Sequence, residues 1–385
     1  MDFQRVTPDR GKKRYARLTL ENMKILVIRL KQIGDALLSL PVCSSLKKTF
    51  PDAQVDYLVY AHIAPLLEGH PDIDNILTIS EGERANVLQY ARKILELRRR
   101  RYDIAFDLIT VPASALICFL SGAEKRIGFG HRRTRSFLYR TKVPHPTSGN
   151  TVNAKLAILA GLPGEIQYQR DFKLYLEARE ILRMRETLVQ HGVQMDKLVL
   201  FFPATSRRDY KFWPADYFAR VIEYCRERYD AQVILNWIPG AEKVFVDELT
   251  RRLSNTKGVF ADIPCGLREM AALIANCDLV VGNDGGPIHI AVGVGTPSLA
   301  VFSPLNSKHA WLPENNDRHR GIDINDTLGI DESERNARTQ EFKQDLERYY
   351  RAITPELVIA ELDRMVERYC AGAPAALAVS ASAEP

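Results

Sequence analysis

Short runs of β-branched and aromatic residues alternate with longer helical segments along most of this chain, and the alternation starts twice. Such a pattern is what parallel strands joined by crossover helices require. The first series predicts strands at 24–29, 55–60, 75–79 and 104–109, with a weaker one at 126–130, and helices near 35–49, 62–68, 85–100 and 112–120. After a helical stretch at 176–191, the second predicts strands at 197–203, 232–238, 258–262, 278–283 and 298–303, with helices at 214–228, 240–253, 267–276 and 286–293. The expected class is α/β, with two doubly wound, Rossmann-like parallel-sheet domains facing across a cleft. A chain of 385 residues, 46% of them apolar, has the length and composition for two cores. The reading divides it into a basic arm (1–22), an N-terminal domain (23–175), a C-terminal domain (176–335), closing helices (336–370) and a low-complexity tail expected to be disordered (371–385). Within these, 305–335 reads as polar loop, and 336–369 as helix broken near Thr354-Pro355.

Charge is unevenly spread. Residues 1–175 carry 28 Lys and Arg against 17 Asp and Glu, whereas 176–385 carry 25 against 31. The first half is thus suited to an anionic partner. Arginine runs such as 132–135 lack interleaved aromatics or a nucleic-acid motif, so nucleic acid is not expected. The six cysteines form no CxxC pair, which argues against a zinc site or disulfide framework and for a reducing, cytoplasmic setting. No run of 18 or more uncharged apolar residues suggests a membrane span, and the first 20 residues lack a signal-peptide core.

In doubly wound domains ligands bind beyond the carboxyl ends of the strands, so chemistry is sought in four loops. The first, Arg29 to Asp35, holds Lys31 and Gly34, expected on the acceptor side, and places the Asp35 carboxylate at a helix start, as a cap or as a base for a sugar hydroxyl. The second, Pro203 to Pro214, combines Thr205, Ser206 and Lys211 ahead of a helix, a setting for phosphate. The third, Asp284-Gly285-Gly286-Pro287-Ile288-His289, offers two glycines whose amides can face an anion, with His289 nearby. The fourth places Glu242 at a helix start, as a cap or as a ribose acceptor. There is neither a GxGxxG after the first strand nor a P-loop anywhere.

These loops, in this order and spacing, resemble glycosyltransferase family nine, the ADP-heptose:lipopolysaccharide heptosyltransferases of GT-B architecture. The resemblance runs from about Lys24 to about Pro313 and rests mainly on KILVIRLKQIGDALLSLP and GNDGGPIHIAVGVGTPSLAVF. It implies that Asp35 is the catalytic base and that Lys211 neutralises the departing pyrophosphate. It also implies that Glu242 contacts the adenosine ribose, that Asp284 helps hold the donor, and that the Gly286 region with His289 binds phosphate. The closing helix is expected to cross back to the first domain. Two positions depart from the family: Gly285 stands where Thr or Ser is usual, and Ser303-Pro304-Leu305-Asn306 replaces Gly-Pro-Thr.

The resulting expectation is inverting, metal-independent transfer of heptose from ADP-heptose to an anionic lipopolysaccharide inner-core acceptor, with no cofactor. The enzyme would work in the cytoplasm, with peripheral contact between the basic arm and the anionic inner face of the inner membrane. A UDP- or GDP-sugar donor, or a binding protein without turnover, are the alternatives.

Overall fold

The structure is a computed structural model that describes residues 23–130, 136–203, 212–237 and 240–370. The basic arm, the tail and the loop segment with Thr205, Ser206 and Lys211 lie outside the described residues.

Twelve described strands form two parallel sheets of six. The first is built from β1 (Lys24–Ile28), β2 (Gln54–Tyr60), β3 (Asn75–Ile79), β4 (Ile104–Asp107), β5 (Lys125–Phe129) and β6 (Thr141–Val143), in the order β3-β2-β1-β4-β5-β6. The second contains β7 (Val199–Pro203), β8 (Gln232–Asn236), β9 (Val259–Phe260), β10 (Leu279–Asn283), β11 (Ser298–Val301) and β12 (His319–Ile322), in the order β12-β11-β10-β7-β8-β9. Counted from its own first strand, the second order repeats the first. Each sheet therefore reverses direction at one place, between β1 and β4 and between β7 and β10, where a crevice opens for ligands.

Both faces of each sheet are covered, which is why the inner strands, such as residues 25–28 of β1 and 199–202 of β7, read as apolar runs. Ile25 and Val27 point to one side of the first sheet, and Leu26 and Ile28 to the other. A single core runs from the first side through Phe172 and Leu174 of the connecting segment to Val199, Phe201 and Val280 of the second sheet. Arg268 fastens the units further, donating to the backbone oxygens of Pro65 (2.8 Å), Glu68 (3.1 Å) and Tyr175 (3.0 Å).

Four expectations are corrected. The helix expected at 35–49 is two, Ile33–Leu37 and Leu40–Thr49, because Pro41 falls at the start of the second and cannot continue the first. The strand expected at 104–109 stops at Asp107, whose carboxylate takes the amides of Ile109 (2.9 Å) and Thr110 (3.0 Å). Residues 305–335 are not simple loop, since they contain β12 and the helices Lys308–Trp311, Ile324–Leu328 and Glu332–Ala337. The closing helix Pro355–Tyr369 packs on the second unit, not back on the first. Val358 and Leu362 join the core around Leu299 and Val301 there, and Asp363 accepts from Tyr224 (2.8 Å) and Tyr229 (2.7 Å).

Candidate active site

The loop after β1 lies at the first sheet's reversal point. Asp35 is in the first turn of Ile33–Leu37, but Gln32 is the capping residue, so the carboxylate is not spent on helix amides. It pairs instead with Arg29, the first residue of the loop. That guanidinium is only 2% exposed and also donates to the backbone oxygens of Leu108 (2.7 Å) and Asp35 (3.3 Å). Ser39 Oγ donates to the Asp35 carbonyl at 2.8 Å, and Tyr57 Oη to that of Ala36 at 2.9 Å. Backbone and carboxylate are therefore both fixed, while the side chain stays 22% exposed toward the cleft.

Two residues that sequence reading missed complete this side. Lys155, on the short helix Thr151–Leu156, has its ammonium pulled down to about 8, by burial first and then by the neighbouring charges of Arg29 and Lys31; Asp35 opposes the shift. Lys155 therefore sits within reach of the Arg29–Asp35 pair and of Lys31. His145 packs edge-on against Phe129 (4.6 Å), and burial lowers its pKa too. No local signal marks either residue. The Lys155 helix is tied across the cleft, for its capping residue Asn150 donates to the backbone oxygens of His309 (3.1 Å) and Leu312 (2.9 Å).

The facing loop follows β10 at the second sheet's reversal point. Gly285 is extended (φ −168°), a conformation any residue adopts, so glycine is not required there by the backbone. From it starts the helix Gly286–Val294, whose first-turn amides point toward the cleft. The Asp284 carboxylate is buried and accepts from the Ser303 amide (3.3 Å) and the Asn306 side chain. In this structure it thus holds the segment at which the chain departs from the family pattern. His289 is 5% exposed and forms the contact between the two loops, since a Cβ on Gly34 would lie 2.5 Å from its Cδ2. A Cβ on Gly286 would reach Ile33 at 3.4 Å.

The remaining expected residues emerge from neighbouring strand ends. Asn283, the last residue of β10, accepts the Trp213 amide at 2.9 Å, and buried Trp213 donates its indole N–H to Ile353 O at 2.9 Å. This fixes the end of the loop that carries Lys211. After β8, Gly240 takes a positive φ of 121° that favours glycine, and buried Glu242 follows in the first turn of Ala241–Arg252. The structure therefore brings Gly34, Asp35, Gly286 and His289 together, with Glu242 one strand beyond β7.

A family model for glycosyltransferase family 9 (heptosyltransferase) matches residues 91–337, more than half of the chain. The chain belongs to that family. Its relatives include lipopolysaccharide heptosyltransferase 3 of Escherichia coli K12, 31% identical over 290 residues, covering 73% of this chain and 82% of the relative. Lipopolysaccharide heptosyltransferase 2 of Salmonella typhimurium LT2 is 25% identical over 354 residues, covering 89% and 99%. Among solved structures, a family 9 glycosyl transferase from Veillonella parvula matches with a TM-score of 0.77 at 19% identity, covering 90% of this chain and 98% of that one. The Escherichia coli ADP-heptose LPS heptosyltransferase II matches at 0.70 and 22%, covering 90% and 99%. The family 9 chain is accordingly a glycosyltransferase of GT-B architecture.

Proposed function

We propose that this family 9 enzyme moves heptose from ADP-heptose to an inner-core lipopolysaccharide acceptor, with inversion and without a divalent metal. The observation that carries the reading is the juxtaposition of Asp35, fixed by Arg29 at one reversal point, with the helix start at Gly286 at the other. In this reading the first unit takes the acceptor and the second the nucleotide sugar. Asp35 removes the proton of the acceptor hydroxyl, and the oxygen attacks the anomeric carbon from the face opposite ADP. Lys211, Thr205, Ser206 and the amides at the start of Gly286–Val294 stabilise the charge growing on the leaving diphosphate. Glu242 receives the ribose, and the cations around Asp35 receive anionic groups of the acceptor. The work takes place at the cytoplasmic face of the inner membrane.

The donor is tested by calorimetric binding of ADP, UDP and GDP in EDTA. ADP is expected to bind tightest, and Lys211→Ala to weaken it by about tenfold or more through loss of a charge-assisted contact. Preference for UDP or GDP overturns heptose as the sugar, and binding that requires added metal overturns metal independence.

Lys155 gives the acceptor side a pH signature. With its pKa near 8, the ammonium is charged below that pH and neutral above it, while Arg29 and Lys31 stay charged. KM for a phosphorylated acceptor is expected to rise roughly threefold to fivefold between pH 7 and 9, and Lys155→Met to be equally weak at both. The stability effect has the opposite sense. Because the folded-state pKa is depressed, the cost of keeping the ammonium charged is present below pH 8 and relieved as pH rises toward the unfolded value. Lys155→Met is therefore expected to stabilise the fold at pH 7 and to do so less at pH 10, measured by denaturant melts.

A further inference from the structure

The face of the first unit formed by helices Val87–Arg99 and Pro112–Leu120 and the turn Ser136–Leu138 has a side-chain pattern that the reaction does not use. The Val87–Arg99 helix carries two apolar stripes. Tyr90, Ile94 and Leu97, at spacings of four and three, face inward, and Leu97 is fully buried in the core beneath the sheet. Leu88 and Leu95, seven apart, face outward at 82% and 51% exposure, and Arg92 and Arg99 fall on the same stripe. The neighbouring Pro112–Leu120 helix has no charged residue at all, and it turns Leu116 and Phe119 outward.

The elements are continuous. Arg98 reaches from the end of the first helix to Leu120 O (3.5 Å). Arg126 lies 5.2 Å over the Phe119 ring and donates to Leu138 O (3.0 Å), next to Phe137, which is 75% exposed.

Charge selects what covers this face. Residues 84–101 hold seven Lys and Arg and one acidic residue, Glu96, which is already paired with Lys93 and Arg100. A second copy would set cations against cations, whereas apolar side chains interleaved with arginines suit the boundary of an anionic bilayer, where chains bury and guanidinium groups meet phosphates. The face also adjoins the cleft, since the Pro112–Leu120 helix begins four residues after Leu108, whose carbonyl holds Arg29.

We infer that this face docks the enzyme on an anionic lipid surface, with Leu88, Leu95, Leu116, Phe119 and Phe137 inserted and Arg92 and Arg99 on the headgroups. This orientation presents the acceptor side of the cleft to a lipid-anchored glycan, and in that respect it rests on the proposed function. The docking itself does not.

The test is co-sedimentation of the full chain with vesicles of phosphatidylcholine alone or mixed with one third phosphatidylglycerol. The wild type is expected to bind the mixed vesicles and to release with salt. Leu88→Ser/Leu95→Ser/Phe119→Ser and Arg92→Gln/Arg99→Gln are each expected to weaken binding roughly tenfold or more. Both variants should keep the wild-type melting temperature and the wild-type rate on a deacylated, water-soluble acceptor. Undiminished vesicle binding by both variants overturns the inference. So does absence of wild-type binding, or a wild-type dimer that the triple variant converts to monomer. If the wild type binds vesicles but transfers no sugar to the soluble acceptor, the proposed function fails while the docking face stands.

Discussion

Asp35→Asn is expected to lower kcat on the order of 100-fold or more while leaving ADP affinity within about twofold of wild type. The amide has the volume of the carboxylate, and its oxygen still accepts from Arg29, so the loop keeps its geometry and only the proton acceptor is lost. Asparagine is therefore the informative substitution. Asp35→Ala strips the partner from a guanidinium that is 2% exposed, leaving a buried charge without its counter-charge. Removing one member of a buried pair typically destabilises by about 3–5 kcal/mol, discounted here because Asp35 itself is partly exposed. A poorly active alanine variant would thus report on folding as much as on chemistry. Single-turnover rates and thermal melts on both variants separate the two effects, and an Asp35→Asn enzyme with near wild-type turnover removes Asp35 from the role of base.

What could be read beforehand follows from how each feature is encoded. The central strands β1, β7 and β10 are buried on both faces, so residues 25–28, 199–202 and 279–281 are uninterrupted apolar runs. The edge strands β6 and β12 carry no such run, because edges need not be apolar. Thr141-Lys142-Val143 is three residues long, and β12 begins with His319, a buried imidazole bonded to Ser298 (3.0 Å) whose pKa burial lowers to about 4. Similarly, the loops of the site were legible because parallel sheets place ligands at strand ends, and position along the chain reveals strand ends. Lys155 and His145 were not legible, because only tertiary packing brings them to Arg29. The closing helix was misplaced for a different reason: its amphipathic spacing shows that one face is buried, not against which unit.

Gly34 shows the same limit and leads to the second large effect. A glycine before an acid suggests a tight turn, yet Gly34 has no left-handed backbone, and the reason for its missing side chain is His289. The Cβ of Gly34→Ala would lie 2.5 Å from His289 Cδ2 and 3.1 Å from Nε2. Neither side yields easily: the Ile33–Leu37 helix is held through the Asp35 and Ala36 carbonyls, and the His289 ring is buried, 6.2 Å from Trp311. The overlap is relieved by moving the two units apart. A displacement of about 1 Å between reacting groups is enough to cost roughly 100-fold in rate, which is the expected loss in kcat/KM. Overpacking itself is expected to destabilise by about 1–3 kcal/mol. His289→Ala removes the obstructing ring, so Gly34→Ala/His289→Ala should recover stability and much of the rate lost by Gly34→Ala, a coupling that a double-mutant cycle measures directly. The cycle also separates the two roles of the histidine. If His289→Ala alone leaves ADP affinity unchanged, the ring serves the contact between units. If ADP affinity falls in both histidine variants alike, it binds phosphate as well. A Gly34→Ala enzyme with wild-type kcat/KM shows that turnover does not pass through this closed contact.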